Sequence, residues 1–125
     1  MMEFQEKSKP IYLQIIDRLC ELVADGTFRP GGRIPSVREF AAEVQVNPNT
    51  VMRSYEYLSR EGVISNRRGI GFFLNEDALD KVADLTRESF FNGEIQLIFR
   101  RLARLKVTPG QLSQYYSDYL NNSKQ

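Results

Sequence analysis

The sequence has no histidine and a single cysteine, Cys20, among 125 residues. One cysteine cannot form a disulfide within the chain, and without histidine a zinc site would have almost no ligands to draw on. Since no phosphate-binding loop is present either, no nucleophile and base pair can be recognised, and we expect no enzyme, no metal and no cofactor. We interpret Cys20 as a buried or half-buried thiol on an amphipathic helix, with redox sensing as the alternative.

Long apolar runs are absent as well. None approaches the roughly 18 residues that cross a bilayer, and the N-terminus lacks the charged and then apolar segment of a signal peptide. We therefore expect a cytoplasmic protein with no membrane partner. The length suits one compact domain, or a small domain with an appendage, and leaves no room for a large catalytic domain.

A large excess of charge of one sign is also missing, since the net charge is +1. The distribution is uneven, because residues 29–74 contain seven arginines, four glutamates and no lysine. Arginine forms bidentate hydrogen bonds with phosphate and with guanine. Arginines at this density can equally solvate a surface, so charge alone leaves both interpretations open.

Two short helices separated by a tight turn are predicted in the middle of the chain. Ser36, with Glu39 three residues later, predicts a capping box at the start of the first helix. Asn47 and Pro48 predict the start of the second helix, which we expect to end at Gly62. The outer N-terminal face of this helix is polar, with Asn47, Asn49, Thr50 and Arg53. This is the pattern of a helix-turn-helix whose second helix, about residues 48–61, enters the major groove.

Two short strands follow these helices. Residues 63–65 and 72–74 are mainly apolar, and the Arg-Gly segment between them favours a tight connection. The pattern predicts a wing.

Upstream, the apolar spacing predicts a helix over residues 10–24, with Tyr12 in the core. Thr27 and Phe28 are expected to form a very short strand that pairs with the wing. Downstream of the wing, Asn75 is expected to cap the next helix.

Four motifs follow one another through this region: P-G-x-R-[LI]-P-S-x-R, N-P-N-T-V, L-x-x-E-G and G-x-G-[FY]. With them, residues 10–74 closely resemble the winged helix-turn-helix of the GntR family of bacterial transcription regulators. The short tail after Leu74 resembles the YtrA-type subfamily, in which a small helical dimerisation unit replaces a large effector domain. The resemblance implies a homodimeric DNA-binding regulator, most often a repressor, with a wing that enters the minor groove.

The resemblance also implies particular DNA contacts. Arg38 matches the arginine of P-S-x-R and is expected to contact a base or a phosphate. Ser36 matches the motif serine, either as a plain N-cap or as a phosphate contact. Arg33 is expected to face phosphate, with a solvated surface role as the alternative. The tip that enters the minor groove in relatives matches Arg67, Arg68 and Gly69.

On the second helix, asparagine can read adenine and arginine can read guanine, whereas threonine more often holds phosphate. These roles are assigned to Asn47, Asn49, Thr50 and Arg53. Pro48 and Met52 depart from the family pattern, because many relatives carry arginine near both positions. We therefore expect fewer contacts to base edges here than in those relatives.

The tail is predicted to form three helices. The first reaches about Phe91, Gly93 kinks or interrupts the chain, and the second ends at Lys106. Thr108 and Pro109 predict the start of the last helix, which we expect to end near residue 120.

These helices carry more large apolar groups than they can bury by themselves, and such surfaces usually mark an interface. We expect a second copy of the chain to cover them, through Phe90, Phe91, Ile95, Ile98, Phe99 and Leu102. One alternative is a tail that packs on its own winged domain within a monomer. Another is a pocket for an unknown small-molecule effector, lined by Phe90, Phe99, Tyr115 and Tyr119.

The expected fold is therefore mainly α with a small β wing. Residues 1–75 are expected to form the DNA-binding domain, and residues 76–125 the helical dimerisation region. The expected partners are a palindromic double-stranded DNA operator and a second copy of the chain. A winged-helix module that binds other proteins but not DNA is the alternative function.

Overall fold

A computed structural model describes residues 9–123, in which six helices and one two-stranded antiparallel sheet are found. In chain order they are α1 (Ile11–Ala24), α2 (Val37–Val44), α3 (Pro48–Arg60), β1 (Ile64–Arg67), β2 (Gly71–Leu74), α4 (Ala78–Asn92), α5 (Glu94–Arg104) and α6 (Pro109–Ser123). The predicted fold class, mainly α with a small β wing, is confirmed. Among these described helices none is long and apolar enough to span a bilayer.

Contacts between residues group the chain into two units, which divide in sequence between Thr86 and Arg87. The functional division predicted after residue 75 stays a prediction.

The starts of α2 and α3 follow from local hydrogen bonds. Ser36 Oγ accepts the Glu39 N–H at 3.1 Å, and Glu39 Oε1 accepts the Ser36 N–H at 2.9 Å. The bond from the Ser36 N–H is the main reason why the pKa of Glu39 lies below its ordinary value. Asn47 Oδ1 accepts the Asn49 N–H at 2.8 Å, with Pro48 at the first helical position. Both predicted caps are confirmed.

Helix α1 buries one face, formed by Ile15, Ile16, Leu19, Cys20 and Val23. Tyr12 was expected in the core, but it is only half-buried and packs at the edge of the core. Burial raises the pKa of the Cys20 thiol to about 11, so the thiolate needed for redox chemistry is scarce at neutral pH. The structure favours a structural thiol.

Helix α3 is tied to three neighbours by two consecutive, fully buried side chains. Ser54 Oγ donates a hydrogen bond to the backbone oxygen of Tyr12 at 2.7 Å, which links α3 to α1. Tyr55 donates its hydroxyl proton to the backbone oxygen of Pro35 at 2.7 Å, just before α2. Its ring meets Phe72 of β2 edge-on, with the ring centroids 5.0 Å apart. Burial raises the pKa of Tyr55, so its hydroxyl remains a donor.

The wing is formed by β1 and β2, which pair from Ile64 opposite Leu74 to Arg67 opposite Gly71. Residues 31–34 extend this sheet on the other side of β2, where Arg33 forms a β-bridge with Phe73.

The strand predicted at Thr27 and Phe28 is therefore wrong. Asp25 Oδ1 accepts the Thr27 N–H at 2.9 Å, and Leu22 O accepts the Phe28 N–H at 3.0 Å. Both backbone donors are used in closing the end of α1, so residues 31–34 take the place beside β2.

Asn75 does not cap a helix with its side chain as predicted, and α4 begins only at Ala78. Asn75 Oδ1 accepts a hydrogen bond from Ser65 Oγ, and Asn75 Nδ2 donates to Gly62 O at 2.8 Å. The Asn75 side chain therefore links Ser65 of β1 to Gly62, which follows α3.

In the second unit, Gly93 separates α4 from α5 as predicted. The capping box of α6 also forms, because Thr108 Oγ1 accepts the Gln111 N–H and Gln111 Oε1 accepts the Thr108 N–H. None of the described residues from Arg87 to Ser123 is buried.

Replacing Tyr55 by Phe keeps the ring but removes the donor to Pro35 O. An acceptor that loses its partner inside a protein typically costs about 1–3 kcal/mol. We expect urea denaturation to show a loss of this size in the free energy of unfolding. Tyr116→Phe, at an exposed position of α6, should change it by less than about 0.5 kcal/mol. Equal stability of Tyr55→Phe and wild type would contradict this account of the core.

Candidate nucleic-acid interface

Helix α3 has two distinct faces. Its buried side consists of Val51, Ser54, Tyr55 and Leu58. Side chains three and four residues apart share a helix face, and the exposed side of α3 carries Asn49, Met52, Arg53 and Glu56. Asn49 and Arg53 are therefore placed where the sequence predicted. This exposed side offers an amide, a guanidinium and a carboxylate to a partner.

The other two residues predicted on α3 lie at its start. Asn47 is exposed, but its Oδ1 atom is used as the cap. Thr50 is half-buried, and its N–H donates to Asn47 O at 3.0 Å. The predicted base contact of Asn47 and the predicted phosphate contact of Thr50 depend on the remaining donors, which are the side-chain amide of Asn47 and the hydroxyl of Thr50.

Arg53 is held against an aromatic ring. The guanidinium carbon lies 3.7 Å from the centroid of the Tyr12 ring on α1. A planar guanidinium that stacks through its face keeps its N–H edge available for acceptors.

At the start of α2, Arg38 is exposed and Ser36 is half-buried. Because Ser36 Oγ already accepts the Glu39 N–H, the structure supports the N-cap role that was one of the two readings of this serine. The exposed side chain of Arg38 is accessible to a partner.

The wing carries two arginines on one face of its sheet. Arg67 is directly opposite Gly71, and Arg33 is directly opposite Phe73. Gly71 and Phe73 are two residues apart on β2, so these positions share a face. The guanidinium carbon of Arg67 lies 4.0 Å from the centroid of the Phe73 ring.

Arg33 lies along the backbone at Gly71. A side-chain carbon at Gly71 would come within 3.0 Å of Arg33 Nε, and Gly71 has a φ of 139°. By contrast, a methyl group at Gly69, in the tip, would meet no other atom within 4 Å. Arg68 and Gly69 are both exposed. The two wing glycines therefore differ. Gly71 lies against the Arg33 side chain, whereas Gly69 lies at the tip with free space around it.

The arginines of this surface are not held in ion pairs with any residue that the structure describes. Within the described residues, no ion pair engages Arg33, Arg38, Arg53, Arg67 or Arg68. Two of them are oriented by aromatic rings instead. A cationic surface of this kind suits a polyanion.

The sequence did not identify Tyr12, Phe73 and Gly71 as parts of this surface. Gly71 had a signal, because it is the second glycine of the G-x-G-[FY] motif. No local sequence pattern identifies the two rings, since each ring lies on a different element of the fold from the arginine that it contacts.

Residues 11–74 match the family described as bacterial regulatory proteins, gntR family. The chain belongs to the GntR family. Its helix-turn-helix and wing lie inside the matched residues.

Similar proteins extend the match beyond the winged domain. The chain is 39% identical to the HTH-type transcriptional repressor YtrA of Bacillus subtilis (strain 168) over 100 residues, which cover 80% of this chain and 71% of that protein. It is 45% identical over 86 residues to an uncharacterized HTH-type transcriptional regulator, YhcF, of the same organism, with 66% and 71% covered. These relatives are named as regulators rather than enzymes, and the predicted YtrA-type resemblance is confirmed.

A solved structure is similar over most of the chain. The putative GntR-family transcriptional regulator from Bacteroides thetaiotaomicron is 42% identical, with a TM-score of 0.74. The likeness covers 90% of this chain and 98% of that one. The GntR-family fold found here, including helices beyond the wing, is therefore shared with a solved relative.

The two wing glycines allow a matched test. Gly71→Ala places a methyl group against Arg33 and forces an L-residue into a conformation that costs about 1–3 kcal/mol. Gly69→Ala, at φ 76°, should cost only about 1–2 kcal/mol, since it meets no neighbour. We expect urea denaturation to show the larger loss for Gly71→Ala. An equal or smaller loss would contradict the stronger constraint at Gly71, which combines its φ with the neighbouring Arg33 side chain.

Proposed function

We propose that this GntR-family protein is a homodimeric, sequence-specific DNA-binding transcription regulator that acts in the cytoplasm, as a repressor, on a palindromic operator. The observation that carries the proposal is the exposed side of α3, where Asn49 and Arg53 present amide and guanidinium donors. These groups match the edges of adenine and guanine in the major groove.

The remaining residues of the surface suit contacts around that helix. Arg38, at the start of α2, can bind a base or a phosphate beside the groove. Arg33, on the sheet of the wing, suits the phosphate backbone. At the tip, Arg67, Arg68 and Gly69 suit the minor groove, which admits arginine and a closely approaching backbone.

Dimerisation is supported by the apolar surface of the second unit. Phe91 is 52% exposed, Ile98 45% and Phe99 44%, although all three are large apolar side chains. On α5, Ile95, Ile98, Phe99 and Leu102 follow the spacing of one helix face. A second copy of the chain is the simplest partner, because two identical stripes can cover each other around a two-fold axis.

The symmetry of such a dimer supports the palindromic operator. Two copies related by a two-fold axis would bring two recognition helices to two inverted half-sites. The repressor role is proposed because the similar YtrA protein is named a repressor.

The alternative, a winged-helix module that binds proteins and not DNA, has less support. Interfaces between proteins rely on buried aromatic and apolar anchors. The exposed side of α3 has one large apolar residue, Met52, which is 40% exposed, among polar and charged neighbours. A small-molecule effector stays a prediction, since Phe90, Phe99, Tyr115 and Tyr119 are all exposed in the single chain.

Arg38→Ala and Arg53→Ala should weaken operator binding without unfolding the protein. Each lost base contact costs about 1–3 kcal/mol, or about 2–6 kcal/mol when it is lost from both half-sites independently. Arg38 is exposed, so Arg38→Ala should change stability by less than about 0.5 kcal/mol. Arg53→Ala also removes the contact with the Tyr12 ring and should cost about 0.5–1 kcal/mol. The measurement is a titration of an operator duplex together with a thermal melt. The control is Arg100→Ala, which removes the same charge from α5 and should leave binding nearly unchanged. Normal melting with undiminished affinity for both variants would place the DNA surface elsewhere.

Phe99→Glu should convert dimers to monomers or give insoluble protein, because it introduces a charge into the proposed interface. Leu97→Glu is the matched control. Leu97 is 62% exposed on the same helix, but lies away from the stripe that contains Phe99, so this variant should remain dimeric. Sedimentation at micromolar concentration measures the difference. A monomeric wild type would contradict the proposed interface.

A further inference from the structure

We propose that Tyr12 is a positioning residue for DNA reading, which acts by holding the Arg53 guanidinium in the orientation that meets a base. The proposal rests on the proposed function. It assigns a part in recognition to α1, a helix outside the helix-turn-helix.

The stack is the first observation. The Arg53 guanidinium carbon lies 3.7 Å from the centroid of the Tyr12 ring. At this distance the guanidinium is attracted by the electron-rich face of the ring. No described ion pair or hydrogen bond holds Arg53 in another direction, so the ring is the group that orients it.

The second observation explains why the ring is in that place. Ser54, next to Arg53 in sequence, is fully buried and donates to the backbone oxygen of Tyr12 at 2.7 Å. The backbone of Tyr12 is thus fixed directly to the turn of α3 that carries Arg53. Because Ser54 points inward and Arg53 outward, one hydrogen bond and one exposed stack connect Tyr12 of α1 to two consecutive residues of α3.

This arrangement lowers the entropic cost of recognition. A long side chain that is disordered in the unbound protein loses rotamer freedom when it contacts DNA, by about 0.5–1.5 kcal/mol. A stacked Arg53 has already lost part of that freedom, while its N–H edge remains able to donate to guanine.

The test is a double-mutant cycle in the full-length chain. Tyr12→Leu removes the ring face, Arg53→Ala removes the guanidinium, and the third variant combines them. Tyr12→Met replaces Tyr12→Leu if that variant does not fold. Affinity is measured for a duplex that the wild-type protein selects from a random pool, and for a mixed-sequence duplex of equal length.

On the selected duplex with two half-sites, Tyr12→Leu should lose about fivefold in affinity. This corresponds to the lower estimate of that entropic cost, counted once for each half-site. In the Arg53→Ala background the same substitution should change affinity by less than about twofold. Tyr12→Phe keeps the ring face and should bind like the wild type. Affinity for the mixed-sequence duplex should stay unchanged in Tyr12→Leu, because the charge of Arg53 is retained.

Three results would overturn the proposal. Unchanged affinity of Tyr12→Leu for the selected duplex would mean that the stack has no part in recognition. Tighter binding would mean that the ring holds Arg53 away from DNA. An equal loss in both Arg53 backgrounds would assign Tyr12 to the packing of α1 alone. A wild-type protein that selects no sequence would instead refute the proposed function, and with it the role of Tyr12.

Discussion

The winged domain depends on the contacts that the buried Tyr55 side chain makes. From α3 it donates to Pro35 O at the entrance to α2, and its ring packs against Phe40 of α2 and Phe72 of β2. This one side chain therefore connects α3 with α2 and the wing. The contacts of Tyr55 therefore help to set the relative positions of these three elements.

On the surface, orientation comes from aromatic faces and not from carboxylates. Tyr12 holds Arg53, and Phe73 holds Arg67. An ion pair would also orient an arginine, but it would neutralise the charge that attracts a phosphate backbone. An aromatic ring fixes the side chain while the positive charge is retained, so rigidity and attraction to a polyanion are combined on the same surface.

Features decided by local chemistry could be predicted from the sequence, and features decided by distant partners could not. Ser36, Asn47 and Thr108 form the expected caps because their acceptors reach donors within three residues. Thr27 is not part of a strand, because its N–H donates to Asp25 Oδ1. Asn75 does not cap α4 with its side chain, because that side chain forms hydrogen bonds with Ser65 and Gly62. The stacks on Tyr12 and Phe73 join separate elements, so no spacing in the sequence revealed them.

In the proposed function, two copies of the chain read duplex DNA by sequence through α3 and the wing. The most direct measurement of this function is the selection of bound duplexes from a random pool with the purified full-length protein. The account predicts enrichment of a sequence that contains two inverted half-sites, as expected for a two-fold symmetric reader. Recovery of the pool without enrichment of any sequence would contradict it.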